Sequence, residues 1–175
     1  TSEEIETQTE YEYVTLNVKR FHAFGDGVHD DTTAIQAAIM SCPEKSRVFI
    51  PKGHYAVTSI FLKSNITIDI EKGAVLIGTK NRKALPILPG MTQSYEENED
   101  YNLGSWEGNP LNSFASMFTG IYVSNVVITG EGVIDGNSAI EDWWTEDRSE
   151  FEAYRPRMIF LNHCSDITIH GITVQ

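Results

Sequence analysis

Residues 59–73, SIFLKSNITIDIEKG, have a sequence pattern that recurs in TGIYVSNVVITGEG at 119–132 and in MIFLNHCSDITIHG at 158–171. In each copy an apolar stretch leads to a small polar residue and then to Asn65, Asn125 or Asp166. Two β-branched residues spaced two apart follow, and then a glycine and another apolar stretch. Self-similar units of this size predict a solenoid or a propeller.

The turn chemistry favours the solenoid. A short polar side chain such as Asn tolerates a bend and bonds to nearby backbone, so each Asn or Asp can mark a corner between strands. The β-branched residues beyond the corner would then stack coil on coil in the interior. A propeller needs tight antiparallel hairpins, yet Asp-Gly or Asn-Gly pairs occur only at 26–27 and 135–136. The sequence therefore predicts an all-β chain, a right-handed parallel β-helix.

Upstream of the repeats the pattern changes to a helical period. Ala34, Ile35, Ala38 and Ile39 fall on one face of TTAIQAAIMSC, directly after an Asp-Asp pair. Such a spacing predicts an α-helix near residues 31–42 that is N-capped by an aspartate, ended by Pro43 and placed to cap the first coil. Before it, we predict a strand over 14–24 and a Gly- and Asp-rich turn; after it, RVFIPKGHYAV at 47–57 predicts strand, turn and strand.

Composition limits the possible partners. The chain has 175 residues and a formal net charge of −12, which disfavours nucleic acid as a partner, and no apolar run is long enough to span a membrane. Cys42 and Cys164 are the only cysteines, and we expect buried thiols without a disulfide. Neither cysteine nor histidine spacing predicts a metal site or a cofactor. The compartment, secreted or cytoplasmic, stays open.

Several stretches together resemble the polygalacturonases of glycoside hydrolase family 28. The first two, FGDGVHDDTTAIQAAI at 24–39 and VFIPKGHY at 48–55, resemble the start of many pectate-lyase-like β-helices, including phage tailspikes. The three that narrow the likeness to polygalacturonases are LKSNITIDIEKGAVLIGT at 62–79, GVIDGN at 132–137 with the Trp143-Trp144 pair, and RPRMIFLNHCSDITIHGITVQ at 155–175. The resemblance implies a hydrolase that cleaves α-1,4-galacturonosyl linkages in pectin with inversion, so an acidic polysaccharide or oligogalacturonide is the expected substrate. It also implies three catalytic aspartates in Asn-Thr-Asp and Asp-Asp motifs, with Gly-His-Gly and Arg-x-Lys segments.

Apart from the Asp-Asp pair at 30–31, which directly precedes the predicted helix, none of those motifs occurs in the chain, so no catalytic residue is assigned and we expect them downstream of Gln175. We interpret residues 14–175 as the N-terminal coils of a truncated β-helix, completed by the remainder of the same chain, and 1–13 as a linker or the end of an upstream domain. The fragment alone is expected to be inactive. A glycan-binding tailspike or adhesion β-helix and a pectate-lyase-type lyase remain alternatives.

Candidate substrate-binding residues are Trp143, Trp144 and Arg155, in or beside the irregular segment at 137–154. Aromatic faces stack on sugar rings and a guanidinium grips a carboxylate, but packing and a local ion pair are the competing interpretation. We expect Asp30 and Asp31 to serve the helix N-terminus and Asp135 to serve a turn. Positive charge for an anionic substrate is expected to come from outside this chain.

Overall fold

The computed structural model describes residues 14–91, 103–106, 109–138, 143 and 153–175, and it consists mainly of three parallel sheets. The first sheet contains, in spatial order, β1 (Thr15–Asn17), β3 (Ser46–Ile50), β6 (Ile66–Ile70), β13 (Ser124–Gly130) and β16 (Ser165–Ile169). The second contains β2 (Asp26–Asp30), β4 (Gly53–Val57), β7 (Ala74–Gly78), β14 (Val133–Asp135) and β17 (Thr173–Val174). The third contains β5 (Ile60–Phe61), β12 (Phe118–Ile121) and β15 (Ile159–Asn162).

Smaller elements complete the described part. Two short antiparallel pairs are β8 (Ile87–Leu88) with β11 (Ser113–Phe114), and β9 (Ser105–Trp106) with β10 (Asn109–Pro110). Helix α1 spans Thr32–Ser41, and 3-10 turns span Val18–Phe21 and Arg82–Ala84. Within the described residues every helix is too short or too polar to cross a membrane.

Successive strands visit the three sheets in turn, so each circuit forms one coil of a β-helix. The register follows the repeat: Val126 pairs with Ile66 on one side and Ile167 on the other, and Ile128 pairs with Ile68 in the same way. Because the side chains of a strand alternate between faces, these matched residues stack in the interior. The predicted parallel β-helix is confirmed.

The corners of the coil are formed by residues in the left-handed region. Asn65, Asn125 and Asp166 have φ of 63°, 55° and 55°, a conformation in which short Asx side chains are among the most tolerated. The Asn125 amide donates to the Asn65 side-chain oxygen over 3.2 Å, which links two coils. The backbone bend at each corner therefore favours the repeated Asn or Asp.

Helix α1 closes the N-terminal end by taking the place of a third-sheet strand in the first coil. Its Ile35, Ala38 and Ile39 are buried in the core. The Gln36 amide donates to the carbonyl of Phe61 at 2.9 Å and accepts from the Phe61 N–H at 2.8 Å. The Gln36 side chain thus satisfies both the N–H and the carbonyl of Phe61 at the edge of β5, where a neighbouring strand would otherwise pair.

The two aspartates before α1 have different roles. Asp30 accepts a hydrogen bond from the Thr32 N–H at 2.9 Å and so serves the helix N-terminus as predicted. Asp31 occupies the N-cap position without capping the helix with its side chain. Its buried carboxylate instead accepts from the backbone N–H groups of Phe24 and Gly25, at 2.5 and 2.8 Å. These two hydrogen bonds hold the Phe24-Gly25 turn against the core.

The capping role predicted for the Asp31 side chain is therefore wrong, and so are two further predictions for this region. The strand predicted over 14–24 ends at Asn17, whose side chain accepts from the Lys19 N–H at 2.9 Å and starts a 3-10 turn. The segment predicted as a Gly- and Asp-rich turn contains strand β2, which pairs with β4. In the first case a side-chain hydrogen bond overrides the local pattern. In the second case pairing with a strand of the neighbouring coil overrides it.

Candidate functional site

A cleft of about 300 Å³ opens at the corner between the second and third sheets. Thr58, Thr79 and Gly136 lie just beyond strands β4, β7 and β14, whereas Met117 and Met158 directly precede β12 and β15. The chain leaves the coil at this corner twice, after β7 and after β14, where the irregular segment at 137–154 begins. Loops that emerge from a rigid scaffold are the usual place for binding sites, so we take this cleft as the candidate site.

Trp143 and Arg155, two of the predicted binding residues, both line the cleft. Trp143 packs edge-on against Phe114, with ring centroids 6.4 Å apart, and joins a small apolar cluster with Leu85 and Ala153. Packing, the competing interpretation for Trp143, is therefore present as well. The indole both contacts this apolar cluster and lines the cleft.

Arginine side chains lie close to the Trp143 indole and on the cleft lining. The guanidinium of Arg82 lies 4.7 Å from the centroid of the Trp143 ring, a cation–π contact. Arg155 and Arg157 flank Pro156 on the lining, and all three arginines have further interactions within the molecule. The expectation that positive charge would come from outside this chain is therefore incomplete. The chain is acidic as a whole, but it places arginines at its cleft.

The floor of the cleft is apolar. Ala115, Met117 and Leu85 are buried, and the partly buried Met158 lies beside them. Gly78 and Gly136 directly follow Ile77 and Asp135, which are register partners in adjacent coils. The two glycines therefore stack and leave this part of the floor without side chains.

The other singled-out residues lie elsewhere. Trp144 is outside the described residues. Asp135 accepts from the Asn137 N–H at 2.8 Å, so the predicted turn role is confirmed. Cys42 and Cys164 form no disulfide; Cys42 is buried as expected and Cys164 is half-buried. The described part of the chain contains no group of three or more His, Cys, Asp or Glu that could hold a metal ion.

Arg157, the two methionines and the two glycines are cleft residues that the sequence analysis missed. Gly78 belongs to one coil, Met117 and Gly136 to the next, and Arg157 and Met158 to the third, so these residues converge only when the coils stack. A usable pattern was present for the glycines, since Gly78 is the last residue of β7 and Gly136 directly follows β14, each immediately before the chain leaves the coil. The methionines carry no comparable pattern, because each looks like an ordinary apolar residue before a strand.

The stacked sheets, the helical cap and the corner cleft define the chain as a right-handed parallel β-helix protein. It belongs to the family described as rhamnogalacturonase A/epimerase, pectate lyase-like, whose model matches residues 15–174. The predicted likeness to glycoside hydrolase family 28 polygalacturonases is confirmed as well.

Three relatives illustrate the range of similar proteins. The exo-poly-alpha-D-galacturonosidase of Dickeya chrysanthemi is 30% identical over 128 residues, which are 70% of this chain and 19% of that protein. The plasmin and fibronectin-binding protein A of Streptococcus pneumoniae is 38% identical over 87 residues, 47% of this chain and 12% of that protein. The structure of the family 28 exopolygalacturonase of Yersinia enterocolitica superimposes with a TM-score of 0.76 and 25% identity, covering 97% of this chain and 36% of that one. The chain thus spans only a minor part of each of these proteins.

Proposed function

We propose that the protein is a glycoside hydrolase that cleaves α-1,4-galacturonosyl linkages in pectin-type polysaccharide, and that this chain contributes a substrate-binding cleft. The observation that carries the proposal is the convergence of Trp143 with Arg155 and Arg157 on one cleft. A sugar ring has an apolar C–H face that can rest on an indole, and a uronate adds a carboxylate that a guanidinium binds bidentately. Arg155 and Trp143 are the proposed binding residues in the described part, and Trp144 stays a proposal from sequence.

The charge distribution supports an anionic ligand at this corner. With a net charge of −12 the chain repels polyanions on average, so a uronate polymer needs a local attraction to bind. Arg155 and Arg157 on the lining, and Arg82 above the indole, supply that attraction. Because a guanidinium has five N–H donors, an arginine that already contacts a protein group can also donate to a ligand.

The catalytic carboxylates are proposed to come from outside these 175 residues. An inverting glycosidase holds two carboxyl groups about 6.5–9.5 Å apart, with a water between one of them and the sugar. The Asn-Thr-Asp motif is absent from the chain, and its one Asp-Asp pair, Asp30-Asp31, holds backbone N–H groups at the N-terminal end of the fold. The 175-residue chain alone should therefore release no reducing ends from polygalacturonate, and measurable release would overturn this part of the proposal.

Calorimetric titration with trigalacturonate tests the binding role. Arg155→Gln and Arg157→Gln should each weaken binding by about 10-fold or more, as expected for the loss of one charge-assisted contact. Lys72→Gln is the matched control, because it removes the same charge from an exposed position that pairs with Glu131. Equal affinities for all three variants, or equal binding of a neutral trigalactoside, would contradict the proposal.

A second candidate is a β-helix that binds glycans without cleaving them. The match to a plasmin and fibronectin-binding protein supports a role in binding without cleavage, since that protein is named for its binding partners and not for a hydrolytic activity. The two candidates differ in products. Binding of oligogalacturonate without release of reducing ends by the full-length protein would favour the second candidate.

A further inference from the structure

The two glycines on the cleft floor are not required by their backbone conformation. Gly25, Gly27 and Gly73 have positive φ values that favour glycine, whereas Gly78 and Gly136 do not. What these two positions contribute is the absence of a side chain. A Cβ on Gly78 would lie 3.2 Å from the Gly136 carbonyl oxygen and 3.3 Å from the Met117 sulfur. One on Gly136 would lie 2.7 Å from the Met158 sulfur.

The glycines let the two methionine side chains lie low in the cleft. Methionine is flexible and polarizable, so a floor of Met117 and Met158 can adapt to a small apolar group. Two threonines on the lining already have partners: the Thr58 hydroxyl bonds to the Thr32 hydroxyl at 3.2 Å, and the Thr79 hydroxyl accepts from the Asn81 N–H at 3.1 Å.

The lining of the cleft thus includes two kinds of group. Arg155, Arg157 and Ser138 provide polar and charged groups, whereas Met117, Met158 and the glycines provide an apolar floor. A ring hydroxyl pressed against that floor would lose its hydrogen bonds to water with little in return. A methyl group in the same place would gain from leaving water.

We propose that the cleft selects a galacturonosyl residue that keeps its carboxylate and carries an O-acetyl ester on a ring hydroxyl. The inference rests on the proposed function and names the substrate class for the same site. The acetyl methyl would occupy the glycine and methionine floor while the carboxylate contacts the arginines. A methyl ester on the carboxylate would not fit equally well, because it removes the negative charge that Arg155 and Arg157 attract.

Calorimetric titrations of the protein with three ligands test this inference: trigalacturonate, O-acetylated trigalacturonate and the methyl ester of trigalacturonate. The acetylated ligand should bind about 4-fold more tightly than the unmodified one, as expected for burying one methyl-sized group. The methyl ester should bind more weakly than either. Equal or weaker binding of the acetylated ligand would overturn the inference and leave the proposed function standing, whereas failure of all three to bind would overturn the proposed function.

Gly78→Ala and Met158→Gln locate the acetyl group. The first fills the floor and the second puts a polar group there at similar volume, so each should bring the ratio of acetylated to unmodified affinity close to 1. Gly120→Ala is the matched control, because its Cβ would meet Leu161 and Val123, which are not on the cleft lining. Thermal unfolding verifies that each variant folds. A preference that survives in both cleft variants would contradict placement of the acetyl group on this floor.

Discussion

Replacing Asp31 with asparagine tests how the N-terminal turn is held. The carboxylate is 1% exposed and accepts two backbone hydrogen bonds, from Phe24 and Gly25. Asparagine keeps one acceptor oxygen but turns an NH₂ group toward the second N–H donor. A hydrogen bond to a charged group contributes about 1.5–3 kcal/mol, so Asp31→Asn should lower the free energy of unfolding by that amount. For a chain of this size the unfolding temperature should fall by about 3–12 °C.

The neighbouring Asp30 provides the matched control for that experiment. It accepts one bond from the Thr32 N–H at an exposed position, where asparagine caps a helix about as well as aspartate. Asp30→Asn should therefore change the free energy of unfolding by less than about 0.5 kcal/mol. Thermal unfolding followed by circular dichroism compares the two. If Asp31→Asn is no less stable than Asp30→Asn, the buried carboxylate does not hold the turn.

Three further predictions concern the backbone corners and two titrating groups. Asn125→Ala should lower the free energy of unfolding by about 1–2 kcal/mol in urea, and Asn125→Gly by less, because only alanine is strained at φ 55°; equal losses would argue against the strain. Hydrogen bonds from the His29 and Val28 N–H groups, then from the His29 ring, hold the pKa of Asp26 well below its ordinary 3.8. A carbon-13 titration of the Asp26 carboxyl group should therefore show no midpoint near that ordinary value. Burial, then Asp31 and Glu71, raises the pKa of Tyr55 from 10.0 to about 12. The tyrosine's contribution is therefore complete below pH 10, and wild type should lose stability relative to Tyr55→Phe as pH rises to 12; a constant difference would contradict the raised pKa.

The stacked coils were predictable because the repeat carries the register. Asn65, Asn125 and Asp166 mark equivalent corners, and once these are aligned Ile66 and Val126 must pair. Local pattern and tertiary packing point to the same structure in this part of the chain. Because of that agreement, the sequence alone predicts the parallel β-helix.

The N-terminal turn and the cleft floor were not predictable in the same way. Asp31 contacts the backbone of residues six and seven positions earlier, and no local propensity distinguishes it from its neighbour Asp30. Trp143 and Arg155 could be predicted as cleft residues because they lie in or beside an irregular segment. Met117 and Met158 could not, because they reach the cleft only when the coils stack. Contacts between residues that are not neighbours in the local pattern decide these features.

A structure of the protein with bound trigalacturonate tests the central proposal most directly. A uronate carboxylate should lie at hydrogen-bond distance, about 2.7–2.9 Å, from the guanidinium of Arg155 or Arg157, with a sugar ring next to Trp143. A ligand bound at a different surface, with the cleft between the second and third sheets empty, would contradict it.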